Sequence, residues 1–245
     1  MILDIDAGNT RIKWRVLDGQ RAIARGDQLT ESIRRGLPLE IGNIESLERI
    51  RLSCVAGEDV IKNLQSQFND RFDIQLELAQ VSERALSVVC GYRDQAQLGV
   101  DRWLALVAAY KKYADAVIVV DAGSAVTVDI VGAGAEHQGG YIVPGLQLMS
   151  QALWQGTERV KVETKQALDI NSPGLSTEEA VDKGCLLLLV SMIESLVARY
   201  QAKLIITGGD AERLRNALCV EAELYPDLVL EGLALEGITL SVVTG

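Results

Sequence analysis

One short pattern occurs twice in this chain, and it restricts the fold more than any other feature. Ile2-Leu3-Asp4-Ile5-Asp6-Ala7-Gly8-Asn9-Thr10-Arg11-Ile12-Lys13-Trp14-Arg15-Val16 is matched by Val117-Ile118-Val119-Val120-Asp121-Ala122-Gly123-Ser124-Ala125-Val126-Thr127-Val128-Asp129-Ile130-Val131. Each copy is an apolar run, Asp-Ala-Gly, a small polar residue and a second, roughly alternating run. That order predicts strand, tight turn, strand. A single copy would be an ordinary hairpin with an Asp/Gly turn. Two copies, each led by a carboxylate, point to a duplicated α/β fold whose two halves face one another across a nucleotide cleft. The glycine lets a ligand approach the backbone. Exposed amides and hydroxyls cradle phosphate oxygens, and the carboxylates hold neutralising cations.

The bulk numbers narrow the chemistry. At 245 residues, 48% hydrophobic and 24% charged, the composition is that of a globular protein rather than a disordered one. A formal charge of -10 argues against a nucleic-acid partner, whose affinity depends on Lys and Arg neutralising phosphates. Cys185-Leu186-Leu187-Leu188-Leu189-Val190 is too short to span a bilayer, and the N-terminus reads as no secretory signal. No membrane role is expected, and the compartment is cytoplasm. Cys54, Cys90, Cys185 and Cys219 form no C-x-x-C pair and are expected to be reduced and mostly buried. The one histidine, His137, leaves little for a Ser-His-Asp triad or a His-rich zinc site. It follows Gly132-Ala133-Gly134, which reads as a hairpin tip with His137 a solvated turn residue. No G-x-x-x-x-G-K-[ST] loop occurs.

Two further stretches bear on a ligand. Lys203-Leu204-Ile205-Ile206-Thr207-Gly208-Gly209-Asp210 reads as a strand ending in a glycine pair, followed by a helical stretch. On its own this is a strand-to-helix turn. With the paired D-x-G hairpins it resembles the phosphate and adenosine motifs of the acetate and sugar kinase, chaperone and actin superfamily. Between the hairpins, Leu98-Gly99-Val100-Asp101-Arg102-Trp103 opens a helical pattern. There Asp101 is either a favourable helix N-terminal charge or a carboxylate that orients an attacking hydroxyl. Arg102 is either a surface residue or a bidentate grip on an acceptor carboxylate.

G-V-D-R-W, with D-A-G-N-T, D-A-G-S-A-V-T, G-G-Y-I-V-P-G at residues 139–145, T-G-G-D and the closing Tyr-Pro-x-Leu-x-Leu-x-Gly-Leu pattern from Tyr225 to Leu233, is similar to type III pantothenate kinase, also called the Bvg accessory factor family. The resemblance runs along essentially the whole chain in the family's motif order. It implies a duplicated actin-like (ribonuclease H-like) fold and ATP-dependent phosphorylation of pantothenate by a homodimer. By that resemblance residues 6–13, from Asp6 to Lys13, form the first phosphate loop, with Asp6 turned toward magnesium through water. Asp101 is the base on the primary hydroxyl of pantothenate. Tyr92, Gly99, Val100 and Arg102 line the acceptor pocket, and Thr177 reaches it from the partner subunit. Asp121 holds a monovalent cation, potassium or ammonium. Ser124 contacts ATP phosphate, and Gly208 and Gly209 contact adenosine. Ser124 and Val126 stand where many relatives have threonine; Ser124 keeps a hydroxyl, and Val126 reports packing. Ser176-Thr177-Glu178-Glu179 also reads as a plain helix cap.

The repeat divides the chain at residue 115, with one actin-like half over 1–115 and the other over 116–245. Helical patterns run from Pro144 to Gln155 and from Thr177 to Tyr200; the second is apolar nearly all round at residues 186–192, which suits a core helix or a dimer interface. The alternatives to a pantothenate kinase are a kinase of another small carboxylate-bearing acceptor and a non-catalytic nucleotide-binding regulator.

Overall fold

The computed structural model describes residues 1–154 and 169–243, which form two compact units. Unit 1 comprises residues 1–111 and 227–245, and unit 2 residues 112–226.

Unit 1 holds β1 (Ile2–Ala7), β2 (Arg11–Asp18), β3 (Arg21–Leu29), α1 (Thr30–Arg34), β4 (Arg49–Cys54), α2 (Glu58–Phe72), β5 (Leu76–Ala79), a small hairpin of β6 (Arg84–Ala85) and β7 (Val88–Val89), and most of α3 (Val100–Tyr113). Unit 2 holds β8 (Val117–Ala122), β9 (Ala125–Val131), β10 (His137–Pro144), α4 (Leu146–Trp154), α5 (Thr177–Tyr200), β11 (Lys203–Thr207), α6 (Ala211–Ala217) and β12 (Ala222–Leu224). The chain closes in unit 1 with α7 (Leu228–Leu233) and β13 (Leu240–Val242).

The two sheets carry one plan. In unit 1 the order is β13-β5-β4-β1-β2-β3, and in unit 2 it is β12-β11-β8-β9-β10. In each, the repeated strand pairs antiparallel with its hairpin partner and parallel with the next strand of the unit. This is the duplicated α/β arrangement that the repeat predicts and the actin-like plan that the resemblance implies. Central parallel strands are covered on both faces and so read as continuous apolar runs. β8 fits that rule, with Val117, Ile118, Val119 and Val120 all buried. β1 breaks it with Asp4, which is fully buried and accepts from Arg51 Nε at 2.7 Å and Arg15 Nε at 3.0 Å.

Each unit has its own core. In unit 1, Val60, Leu64 and Phe68 recur at helical spacing on α2 and pack with Leu3, Ile5, Ile12 and Ile50 of the sheet. In unit 2, Cys185, Leu189, Ile193 and Leu196 of α5 pack with Ile118, Val120, Val128 and Ile206. The opposite stripe of α5, with Gly184, Leu187, Leu188, Ser191, Ser195 and Ala198, is uncharged, and Leu187 and Leu188 are 48% and 66% exposed. The helix is therefore not buried all round within the chain. No helix among the described residues is long and apolar enough to cross a membrane.

Three expectations change on contact with the structure. The segment after residue 226 belongs with unit 1, because β13 extends its sheet beside β5 and α7 packs on β1 and β4. Gly232 lets α7 also lie close against α3: a Cβ there would lie 2.2 Å from the Leu104 carbonyl oxygen. His137 is buried on β10 rather than solvated, with Nε2 3.1 Å from Asp129 Oδ1. The turn at Gly132 does form, but it ends at Ala135, one residue short of the strand that draws His137 inward. Of the four free thiols only Cys185 is buried, and Cys219 is exposed. The helix expected over 144–155 is α4; its expected last residue, Gln155, lies outside the described residues.

Candidate active site

The first repeat turns tightly because Gly8 N–H donates to the Arg11 carbonyl at 3.0 Å, leaving Asn9 and Thr10 exposed at the tip. Asp6 faces the turn at the end of β1, opposite Lys13 on β2, and its Oδ1 accepts from Ser53 Oγ at 3.0 Å. Thr30 braces the loop from behind: its hydroxyl donates to Gly8 O at 2.6 Å and its N–H to Thr10 O at 3.1 Å. Of the residues expected to bind phosphate here, Ala7 and Ile12 bury their side chains in the core and can offer only backbone groups. Arg11 turns its guanidinium to Asp27 on β3.

The acceptor residues assemble in the same unit. Asp101 occupies the first turn of α3, and its Oδ1 accepts from the Arg102 N–H at 2.7 Å. Gly99 makes that rotamer possible, since a Cβ at 99 would lie 2.5 Å from the same oxygen. Arg102 is 8% exposed, donates from Nη1 to the Tyr92 hydroxyl at 2.9 Å, and has its guanidinium carbon 5.5 Å from the Tyr92 ring centroid. Tyr92, Gly99, Asp101 and Arg102 are thus one cluster. Beside it opens a groove of about 800 Å³, lined by Cys54 at the end of β4 and Val55 after it, by residues 78–81, and by the turn over residues 93–100. It lies at the carboxyl ends of the parallel strands β4 and β5, where open α/β sheets bind ligands. Burial pushes the Cys54 thiol up from its ordinary value, which keeps it protonated and unreactive.

In unit 2 three loops meet around the second repeat. Its turn is one residue shorter than the first: Ala122 pairs with Val126, whereas Ala7 pairs with Ile12. Ser124 is exposed at the tip, and Val126 is buried. Gly145, at the start of α4, donates its N–H to Ser124 O at 3.0 Å. The Thr207-Gly208-Gly209-Asp210 turn lies on the other side, because Thr207 pairs with Asp121 across parallel strands. Asp210 N–H donates to Ala122 O at 2.9 Å. Burial pushes the Asp210 carboxyl up, with Arg213 pulling the other way. Gly208 has φ +97°, and a Cβ on it would lie 2.5 Å from both Ala122 O and Asp121 Oδ1. Two oxygens therefore converge on the edge of that glycine. Gly208→Ala is expected to cost about 1–3 kcal/mol through backbone strain and overlap. Gly209→Ala, where no atom lies within 4 Å, serves as its control. Thermal denaturation that shows equal midpoints for the two variants would refute this packing.

Thr177 is exposed as the first residue of α5. The capping role next to it falls to Ser176, whose Oγ accepts from Glu179 N–H at 3.2 Å, while Glu179 Oε2 accepts from Leu175 N–H. Two residues that sequence reasoning missed are Thr30 and Ser53. Neither carries a local signal, since each meets its partner only through strand and loop packing.

A family model described as type III pantothenate kinase matches residues 2–199. A relative of that name from Pseudomonas paraeruginosa is 39% identical over 96% of this chain and 98% of its own length, and one from Azotobacter vinelandii is 36% identical over the same shares. Among solved structures, a Baf-family transcriptional activator from Campylobacter jejuni superposes with a TM-score of 0.62 at 26% identity, over 94% of each chain. A 2-dehydro-3-deoxygalactonokinase from Sinorhizobium meliloti shares the fold with a TM-score of 0.57 at 12% identity, over 96% of this chain and 97% of that one.

Proposed function

The chain belongs to the type III pantothenate kinase family, and on that premise we propose how its own residues carry the transfer of phosphate from ATP to pantothenate. The reaction gives 4′-phosphopantothenate, the first step of coenzyme A synthesis. The observation that carries the reading is the cluster of Asp101 and Arg102 on α3 with Tyr92 ahead of it.

Phosphoryl transfer asks a protein mainly for positioning and charge neutralisation. Asp101 takes the proton of the primary hydroxyl as it attacks. A guanidinium carries five N–H donors, enough for Arg102 to hold Tyr92 and the pantothenate carboxylate together. Val100 and Gly99 shape the wall beneath the acceptor. The amides and polar side chains of Asn9, Thr10 and Ser124 bind the triphosphate, Gly8 shapes the turn that presents them, and Gly208 and Gly209 lie against adenosine.

The residues present suit the cations such a kinase uses. Magnesium neutralises phosphate charge when bound, and the Asp6 carboxylate, steadied by Ser53, is a hard oxygen donor at the mouth of the first loop. No group of three or more His, Cys, Asp or Glu able to hold a metal occurs among the described residues, so water and phosphate oxygens must complete such a site. For potassium or ammonium, Asp121 Oδ1 and the Ala122 carbonyl provide adjacent oxygens beside Gly208. Asp121→Ala is expected to abolish activation by potassium, read as the ratio of rates in potassium and in sodium. A ratio equal to that of the unaltered enzyme would end the assignment.

The uncharged stripe of α5 supports a homodimer in which Thr177 serves the partner's acceptor pocket. Sedimentation as a monomer at assay concentration would remove that contribution. We place the enzyme in the cytoplasm, where its free thiols stay reduced; recovery in a membrane or secreted fraction would speak against it.

The test is ADP release with ATP, magnesium and pantothenate, in potassium and then in sodium. Turnover that requires both pantothenate and potassium is the expected result. ATP binding without turnover would favour a regulator, and turnover with another carboxylate-bearing acceptor would reassign the substrate.

A further inference from the structure

The first hairpin turn is held by a residue that belongs to neither of its strands. Thr30, the first residue of α1, is fully buried and meets the loop twice. Its hydroxyl donates to Gly8 O at 2.6 Å, and its N–H donates to Thr10 O at 3.1 Å. The second bond comes from the backbone, and any residue but proline could supply it. The first needs a hydroxyl at this position. Gly8 N–H is engaged elsewhere, with Arg11 O at 3.0 Å. Asn9, next along the loop, is exposed, and among the described residues its N–H finds no acceptor.

A trans peptide is planar, and its C=O and N–H point opposite ways. Fixing the Gly8 carbonyl on the buried Thr30 hydroxyl therefore turns the Asn9 N–H to the opposite, exposed side of the loop. Without that bond the Gly8–Asn9 plane costs little to turn over. Glycine accepts almost any backbone angle, and asparagine is among the few residues that tolerate the left-handed φ such a flip requires. The flipped loop would present a carbonyl oxygen where it now presents a donor. For a triphosphate that exchanges attraction for repulsion. Thr30 is itself firmly seated. α1 has only five residues, too few to hold its own shape. It is tied instead to its neighbours: Arg34 Nη2 donates to Ala56 O at 2.6 Å, Arg34 Nε to Asp59 Oδ2 at 3.2 Å, and Asn63 Nδ2 to Ile33 O at 2.8 Å. All of these contacts lie within unit 1.

We propose that Thr30 is a positioning residue for ATP, its hydroxyl locking the Gly8–Asn9 peptide so that the Asn9 N–H faces the triphosphate. This rests on the phosphate-binding role given to that loop above. Thr30 acts through the backbone and touches no substrate atom. Its task differs from that of Ser53, which steadies the Asp6 carboxylate for a cation, whereas Thr30 orients an amide for phosphate. Glycine at position 8 keeps the turn tight, since a Cβ there would lie 3.1 Å from Arg11 O. The hydroxyl at position 30 restrains the freedom that this glycine brings.

Thr30→Val keeps the shape of the side chain and its backbone bond to Thr10, and removes the hydroxyl. The Kd for ATP, read by calorimetry in magnesium, is expected to rise about tenfold, the worth of one hydrogen bond to a charged group. The KM for pantothenate should change less than about twofold, because Tyr92, Asp101 and Arg102 are held by other contacts. Thr30→Ser keeps the hydroxyl and gives up a buried methyl. Its melting point should fall, while its Kd for ATP stays within about twofold of the original. Affinity that follows the hydroxyl rather than the melting point is the expected pattern. An unaltered ATP Kd in Thr30→Val would overturn the proposal even with a lowered melting point, because the bond would then be merely stabilising. Equal losses in the two variants, or a pantothenate KM that rises as far as the ATP Kd, would overturn it as well, since either describes a general loosening of unit 1. Should the unaltered protein bind ATP and turn over no pantothenate, the functional reading falls, and the two Kd values still decide the role of Thr30. A protein that binds no ATP overturns both.

Discussion

Asp101→Asn is expected to lower pantothenate turnover by about 10²–10⁴ and to leave ATP binding nearly intact. Asparagine has the size of aspartate and can still accept the Arg102 N–H that Asp101 Oδ1 now holds at 2.7 Å. Gly99 still makes room for it, so the first turn of α3 should keep its shape. What disappears is the ability to take a proton from the attacking hydroxyl. The effect should therefore fall on kcat, with the pantothenate KM little changed, because Arg102 and Tyr92 keep their contact. ADP release measures the first quantity, and calorimetric titration with ATP the control. Turnover near that of the unaltered enzyme would show that another group, or water, takes the proton.

Asp4→Ala should destabilise the protein by about 3–5 kcal/mol, by a route that never touches the substrate. Asp4 is fully buried, and its two oxygens bind Arg51 and Arg15, whose side chains are 8% and 11% exposed. Arg15 also donates to the Leu230 carbonyl at 2.6 Å, so the carboxylate joins β1, β2, β4 and α7. Alanine would leave two guanidinium charges in a region nearly closed to water. Native proteins hold only about 5–15 kcal/mol in all, so such a loss is a large share. At about 2–4 °C per kcal/mol for a chain of this size, the melting temperature should fall by roughly 10 °C. A midpoint within about 2 °C of the original would mean that water reaches the arginines after all. Asp4→Asn, which keeps the shape and loses the charge, should fall between the two.

Much of the fold is legible because it is written in neighbouring residues. The Asp-Ala-Gly repeats announce their own turns, and α5 begins and ends where its pattern predicts, from Thr177 to Tyr200. Helical spacing on α2 and the apolar run of β8 follow from the same local rules. The C-terminal segment was less legible. Leu228, Val229, Leu230 and Leu233 mark a short element buried nearly all round, yet nothing in residues 227–245 says which half of the duplication it completes. His137 misled for a related reason: the glycines before it are a true turn signal, but its partner Asp129 lies on the adjacent strand.

The site divides along the same line. From the sequence alone come the carboxylates Asp6, Asp101 and Asp121, the glycines that let ligand or backbone come close, and the Asp-Arg pair at a helix start. These stand in short local motifs, and their roles are what the family resemblance implies. Tertiary structure alone decided which groups hold them: Ser53 on Asp6, Thr30 behind Gly8, Tyr92 on Arg102 and Gly208 against Asp121. Each of those partners lies ten or more residues away along the chain. Strand register and helix packing bring them together, and a one-residue slip in either would put a different side chain in each place.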